Sequence, residues 1–470
     1  MARTPLVVID VVALTGRLLR HAPRLAAMAK NGTVARLTPS LPAVTSTVQS
    51  SLLTGSAPDV HGIVGNGWYF RDLAQVWLWR QSNHLVHGEK LWEMARRRAP
   101  GFRCAKLFWW FNMYSTADWS VTPRPVYYAD GRKRPDVYTA PAPLRDELVA
   151  ELGDFPLFEF WGPRAGIRSS EWIARATRHV IDRHAPDLTL AYLPHLDYDL
   201  QRVGPDHPSI PAQVAAIDRC AGELAEHCLT RGARVVVVSE YGIERVDRAL
   251  RINEVLDRAG WLAVQETPAG DLLDPGASRA FAVADHQVAH VYVRDVADVP
   301  RVQADLAAGM PGVELFALSE RRAVGLDHPR SGEIVAFAPR GGWFSYRYWR
   351  SDARAPDFAR TVDIHRKPGY DPCELFLDPR FRVPTWAVAW RLLRAKLGFR
   401  GTFDVIPLDD SLVKGSHGGR SADPLDLPLL LSSAPLDRTE VAATDFPAVA
   451  MSLLFDAPMA ATACPSAPTG

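Results

Sequence analysis

Short, mainly apolar runs punctuate the chain at 6–9, 188–193, 235–238 and 429–431. A run of three to six such residues without sustained polar alternation reads as a strand buried on both faces, the pattern of a parallel sheet. Helical periodicity fills stretches between them, at 23–30, 88–97, 170–184 and 210–229. Strands alternating with helices predict an α/β fold, a mainly parallel sheet sandwiched by helices. In such sheets the reactive groups gather at the carboxyl ends of the strands. Asp10, Asp197 and Glu240 each end or closely trail an apolar run, so all three are expected on one edge.

The pattern changes along the chain. Residues 1–250 read as the first part of the core. Residues 251–345 mix strand-like pieces (289–293, 334–338) with Pro- and Gly-rich turns, which predicts a smaller inserted α+β cap. Residues 346–432 return to the core, through a segment at 352–379 that is irregular, aromatic, charged and too polar for an interior. The Ala- and Pro-rich stretch 433–470 is expected to form a lightly packed tail.

Composition narrows the function. Of 470 residues, 47% are hydrophobic and 23% charged, enough to bury a sizeable core. A formal net charge of +1 argues against nucleic acid or an anionic membrane as partner. The five cysteines are scattered and never spaced as CxxC, which points to a reducing compartment. Arg3 and the apolar run at 6–9 imitate a signal peptide, but Asp10 interrupts it and no small-residue cleavage site follows. No stretch approaches the roughly 18 apolar residues of a membrane span. The expectation is a cytoplasmic protein; nothing in the chain indicates an oligomeric state.

The candidate chemistry lies in seven segments. The first strand ends on Asp10. Next come Thr38-Pro-Ser-Leu-Pro-Ala-Val-Thr-Ser-Thr-Val-Gln and Leu53-Thr-Gly-Ser-Ala-Pro-Asp-Val-His-Gly-Ile, then Val64-Gly-Asn-Gly-Trp-Tyr-Phe. A Thr at a helix start faces free N–H groups and the positive end of the helix dipole, which stabilise an alkoxide and a phosphate alike. Further along are Leu193-Pro-His-Leu-Asp-Tyr-Asp-Leu-Gln-Arg-Val-Gly-Pro, Val235-Val-Val-Val-Ser-Glu-Tyr-Gly-Ile and Lys414-Gly-Ser-His-Gly-Gly-Arg.

In this order the segments resemble the nucleotide pyrophosphatase/phosphodiesterases of the alkaline phosphatase superfamily. The resemblance covers roughly 5–250, and 330–432 more loosely. It implies a metal-dependent hydrolase of phosphate mono- or diesters. Thr45 would be the nucleophile, with Thr47 its neighbouring competitor, and Asn66 would hold a phosphate oxygen. Two divalent ions, zinc in the family pattern, would sit about 4 Å apart. Asp10, Glu240 and Tyr241 or His286 would hold one; Asp197, His417 and Gln201 or His365 the other, with Thr45 reaching the metal as well.

Three positions depart from the pattern. Gln201 and Tyr241 stand where the family has histidines, and Glu240 lengthens an aspartate. Either Mn²⁺, Mg²⁺ or Fe replaces zinc, or histidines arrive from elsewhere. Asp199 and His195 are nearby substitutes, as are the pair Asp285–His286, His290, and the charged loop around Asp363 and His365. His61 is expected to anchor its loop, and the aromatic stretch 106–115 to line core or leaving-group pocket. The substrate would be small, phosphorylated and nucleotide-like. A phosphatase, a phosphonate hydrolase, a phosphoryl transferase and a catalytically reduced binding protein are alternatives on the same fold. The Cys/Ser-x-Pro-x-Arg signature of sulfatases is absent.

Overall fold

The computed structural model describes residues 3–129, 132–381, 389–391, 393, 394, 397, 401–421 and 423–456. The first seven strands of the core are β1 (Leu6–Val11), β2 (Thr33–Thr38), β3 (Cys104–Leu107), β4 (Trp119–Pro123), β5 (Val137–Ala140), β6 (Leu188–Leu193) and β7 (Arg234–Val238). The next four, β8 (Ala280–Asp285), β9 (Val288–Val293), β10 (Glu314–Ala317) and β11 (Ile334–Phe337), form a separate sheet. Then β12 (Leu429–Ser432) and β13 (Glu440–Ala442) rejoin the first. The large sheet runs β13-β2-β12-β7-β1-β6-β3-β4-β5.

Its centre, β7-β1-β6-β3-β4, is parallel throughout. Every residue of β1 is buried, and alternate side chains serve opposite faces. Val7, Ile9 and Val11 join one apolar cluster; Leu6 and Val8 join the other. Helices α2 (Ile167–His184) and α4 (Ile210–Leu229) cover the first face, while α1 (Thr45–Thr54) and α5 (Phe446–Phe455) cover the second. The chain therefore has the α/β sandwich that its strand and helix alternation predicts.

Three expectations need correction. The run at 429–431 is a buried strand, but β12 lies antiparallel to both β7 and β2. An unbroken apolar run reports burial on two faces and carries no information about direction. The lightly packed tail is, over 440–455, a strand plus α5, whose Phe446, Val449 and Leu454 are fully buried. Residues 457–470, Cys464 among them, lie outside the described residues. The segment 352–379 is also not excluded from the interior. Lys367, 1% exposed, meets Asp371 at 2.7 Å and Glu374 at 2.8 Å, and Trp161 donates to Glu374 at 2.5 Å. Charges that pair with each other can be buried where isolated ones cannot.

The second sheet has the order β8-β9-β11-β10, antiparallel throughout. One face packs on its own helices through Ala280, Ala282 and Ala284. The other, through Phe281 and Val283, packs on Ile63, Val64 and Trp68 of the first sheet's loops. That second contact fixes the turn between β8 and β9 against the start of α1.

Replacing Lys367 with Met would strand two buried carboxylates. Urea unfolding of Lys367→Met is expected to show a loss of about 3–5 kcal/mol.

Candidate active site

The site assembles where β1 and β7 end. Asp10 lies in register with Val238 of β7, and Glu240 follows two residues later. Both carboxylates are fully buried. Gln49 holds them: its Nε2 donates to Asp10 Oδ2 at 3.2 Å and to Glu240 Oε1 at 2.5 Å. The Gln49 carbonyl accepts the Trp110 backbone N–H at 2.7 Å, which fixes which end of the amide faces the acids. Burial pushes Asp10 up to about 7, and burial with the neighbouring Asp10 charge raises Glu240 well above the usual range. Asp10 Oδ1 and Glu240 Oε2 have no hydrogen-bond partner among the described residues.

Thr45 opens α1. Val44 before it is extended and no side chain of the helix caps the end. The cap comes from Asn66, whose Oδ1 accepts the Ser46 N–H at 3.0 Å. Asn66 is itself clamped by Asp285, which accepts its backbone N–H at 2.8 Å and its Nδ2 at 3.1 Å. One N–H of the Asn66 amide is left for a ligand. All ten residues of α1 are buried although the helix is rich in Ser and Thr. It can be buried because Ser50 and Thr54 donate back to the helix at 2.7 and 2.8 Å, and Ser51 pairs with His61 at 2.9 Å. His61 is thus the loop anchor it was expected to be, driven to a pKa of about 3 by burial. Thr45 Oγ1 lies 3.2 Å from the Tyr241 hydroxyl, whereas the Thr47 hydroxyl is buried without a partner among the described residues.

Asp197 sits in the first turn of α3 (His195–Val203). Tyr241 donates to its Oδ1 at 3.1 Å and Gln201 Nε2 to its Oδ2 at 2.8 Å. The Gln201 oxygen accepts the Tyr370 hydroxyl at 2.8 Å. Burial raises Asp197 to about 6. Burial, with Asp197 and Glu240 beside it, raises Tyr241 well above its ordinary value, so it stands as a neutral phenol. Its proton is directed to Asp197 Oδ1, and its oxygen lies 3.2 Å from the Thr45 hydroxyl.

Four rings stack beside these groups. Tyr241 lies on His417 at 3.5 Å and 4°, His417 on His286 at 3.8 Å, and His286 on Tyr370 at 3.7 Å. His417 Nδ1 donates to the Ala43 carbonyl at 2.8 Å, leaving Nε2 as a lone pair 3.8 Å from Asp197 Oδ1. Burial and the neighbouring His286 hold His417 neutral. Gly415 lets this loop close on α3: a Cβ there would lie 2.1 Å from the Leu200 carbonyl oxygen. His286 occupies the β8–β9 turn at φ +61°, a left-handed conformation costly for a side-chain-bearing residue and held by its surroundings. Its Nδ1 is 2.8 Å from Asp285.

The structure therefore brings together Asp10, Thr45, Asn66, Asp197, Gln201, Glu240, Tyr241, Asp285, His286 and His417. His365 is elsewhere, beside Arg80, Asp363 and Lys133. Asp199 pairs with Arg202 at 2.8 Å, and His290 is spent on the Val64 carbonyl at 2.9 Å. Two participants escaped the reading of the sequence, Gln49 and Tyr370. Gln49 had a local signal, since it follows Thr45 by four residues and shares its helix face. Tyr370 had none.

Oxygen and nitrogen donors gather at two ends of the site. Among the described residues no group of three or more His, Cys, Asp or Glu is arranged to hold one. At the Asp10–Glu240 end, two unpartnered carboxylate oxygens and the Thr45 hydroxyl make an all-oxygen set, which fits a hard divalent cation. At the Asp197 end each carboxylate oxygen accepts one hydrogen bond, from Tyr241 and from Gln201, the Gln201 oxygen accepts one from Tyr370, and His417 Nε2 has no hydrogen-bond partner among the described residues.

Comparison with known proteins agrees with this architecture. The model of the type I phosphodiesterase / nucleotide pyrophosphatase family matches residues 6–371. The chain belongs to that family. That family comprises phosphoric ester hydrolases of the alkaline phosphatase superfamily. An uncharacterized pyrophosphatase/phosphodiesterase of Schizosaccharomyces pombe is 24% identical over 258 residues, 51% of this chain and 46% of the relative. The chain thus spans about half the length of that curated relative. The fold is that of murine ectonucleotide pyrophosphatase/phosphodiesterase 5, solved as an inactive variant in complex with AMP. That match has a TM-score of 0.59 at 15% identity and covers 98% of this chain and 97% of that one. The human protein matches with a TM-score of 0.57 at 13% identity, over 96% and 94%. Among the described residues no helix is long and apolar enough to cross a membrane.

Replacing Gln49 with Leu would leave Asp10 and Glu240 in contact with no donor between them. Gln49→Leu is expected to lose about 1–3 kcal/mol, read as a lower melting temperature in calorimetry without added metal.

Proposed function

We propose that this protein hydrolyses a small, nucleotide-like phosphate ester, with Thr45 as the nucleophile. The observation that carries the reading is the surroundings of Thr45. Its hydroxyl lies at the start of a buried helix, hydrogen-bonded to Tyr241, with the Asn66 amide clamped beside it. Backbone N–H groups at a helix start and a fixed side-chain amide are donors aimed where negative charge develops on phosphorus-bound oxygens. The rigid clamp of Asn66 by Asp285 means that no reorganisation is needed as that charge appears.

Asp10, Glu240 and Thr45 would hold a divalent cation, of the Mg²⁺ or Mn²⁺ kind given three oxygen donors. Such an ion would supply positive charge toward the phosphoryl oxygens and lower the proton affinity of the Thr45 hydroxyl. Trp79 and Trp110, 4.9 Å apart, with Tyr370 6.1 Å from Trp79, offer an aromatic wall for the organic part of the ester. A nucleoside suits that wall, in line with the AMP bound by the murine neighbour. The second sheet, which brings Asp285 and His286, would act both as cap and as part of the site.

A second reading, a phosphoester-binding protein with reduced catalysis, is favoured by the stacked rings and by the 4% exposure of Thr45. Turnover decides between them. Bis-p-nitrophenyl phosphate and p-nitrophenyl thymidine 5′-monophosphate are expected to be cleaved, and Thr45→Ala to lose at least ~10³-fold in kcat. Thr47→Val, an isosteric change at a buried helix position, is expected to keep activity; the reverse result would move the nucleophile to Thr47. AMP binding without turnover in the wild type would establish the binding protein instead. Chelation with EDTA is expected to abolish turnover and added Mn²⁺ or Mg²⁺ to restore it.

A further inference from the structure

We propose that the organic part of the substrate carries a second phosphate group, and that Arg80, Arg124 and Lys133 receive it beside the aromatic wall. The inference deepens the reading of a nucleotide-like ester and rests on it for the direction in which the substrate lies.

Trp79 links the two places. Its backbone N–H donates to the Asn66 carbonyl at 2.8 Å, which ties the wall to the residue proposed to hold a phosphoryl oxygen. Trp79 keeps a left-handed backbone, φ +60°, a conformation that a side-chain-bearing residue holds only where its surroundings impose it. The next residue, Arg80, lays its guanidinium on the Trp77 ring, 4.0 Å from the centroid. Around Arg80 the electrostatic neighbours are Arg124, just past the end of β4, and His365, which also feels Lys133 and Asp363. These cations therefore begin one residue beyond the wall.

Charge is out of balance there. Elsewhere on the surface arginines find acids, as Arg71 does with Glu333 at 2.7 Å, Arg96 with Asp118 at 2.6 Å and Arg145 with Asp136 at 2.8 Å. Among the described residues no carboxylate lies within ion-pair distance of Arg80, Arg124 or Lys133, and the buried Arg80 Nε has no hydrogen-bond partner. Arg124 directs one N–H to the Met113 sulfur at 3.5 Å, a weak acceptor. Burial, with the Arg124 charge beside it, lowers the proton affinity of Arg80. Two acids act on Lys133, Asp363 and Glu374, and Glu374 is already held by Lys367 and Trp161. Three cations thus share one uncommitted carboxylate. Like charges held together and partly desolvated lack a counterion that an anionic ligand would supply. A phosphate monoester, with close to two negative charges and three acceptor oxygens, matches two guanidiniums and an ammonium.

Thymidine 3′,5′-bisphosphate and thymidine 5′-monophosphate differ by the phosphate in question. Calorimetric titration of the wild type, with Mn²⁺ supplied, is expected to show the bisphosphate bound at least ~10-fold more tightly. Arg80→Met and Lys133→Met are each expected to bring that ratio within about threefold. Arg175→Met, a control on the exposed face of α2, is expected to leave the ratio as it was. Equal affinities in the wild type would overturn the proposal, as would a preference kept in both variants, or binding of neither ligand. Should a variant fail to fold, the wild-type ratio still decides. Turnover is read apart from binding. Cleavage of p-nitrophenyl thymidine 5′-monophosphate with equal affinities would uphold the hydrolase and sink the second-phosphate site; a binding preference without turnover would do the reverse. Among p-nitrophenyl esters, a KM lowered ~10-fold for the 3′-phosphorylated thymidine ester alone supports a terminal phosphate as the group received. An equal gain for the ester of a thymidine dinucleotide supports a phosphate within a chain, and no gain for either counts against the site.

Discussion

Two carboxylates buried in contact with each other dominate this molecule. Asp10 and Glu240 end adjacent parallel strands, and adjacent strands in register leave no freedom to separate them. Neither reaches water. Like charges so placed need a proton, a cation or strong donors between them. Gln49 supplies donors to one oxygen of each and leaves the other oxygen of each open. Much of the local architecture follows from keeping that amide in place. The Trp110 N–H fixes its orientation, and the loop bearing Trp110 is pinned by Lys106, whose ammonium reaches the Trp110 and Phe111 carbonyls at 2.8 and 2.9 Å. Burial lowers Lys106 to about 7, a cost accepted within the core to hold that loop.

The same helix that carries Gln49 carries Thr45, one turn earlier. Holding the acids therefore also holds the nucleophile candidate. From the other side, the second sheet reaches in with Asp285, which clamps Asn66, which caps the helix at Ser46. The site is thus gripped by two sheets that share few sequence neighbours. This is why the turn carrying His286 tolerates a left-handed backbone: Phe344 donates to its carbonyl at 2.7 Å, and Gln287 beside it donates to the His417 carbonyl at 2.8 Å.

The phenol at 241 and the amide at 201 act together on one carboxylate. An imidazole at 241 would offer a lone pair to a cation, whereas a phenol offers a proton to Asp197 and an acceptor to Thr45. At 201, an amide can satisfy a carboxylate and a phenol at once, which an imidazole bound to a metal cannot. Gln201 and Tyr241 both donate to the same carboxylate, Asp197.

Much of this was legible in the chain because it is local. Burial of β1, β6 and β7 follows from their apolar runs, the position of Asp10 from the end of one of them, and the helix start at Thr45 from its flanking segment. Tertiary structure alone decided the rest. It set the antiparallel direction of β12, since an apolar run specifies burial and not polarity. It brought α5 out of a supposed tail and into the core, and it buried Lys367 by giving it Asp371 and Glu374. It also chose which histidines converge, admitting His286 and His417 and leaving His290 and His365 outside. A hydrogen bond's direction depends on every other claim on its atoms. Those claims on Asp197, Gln201 and Tyr241 reach as far along the chain as Thr45 and Tyr370, so only the folded chain could settle them.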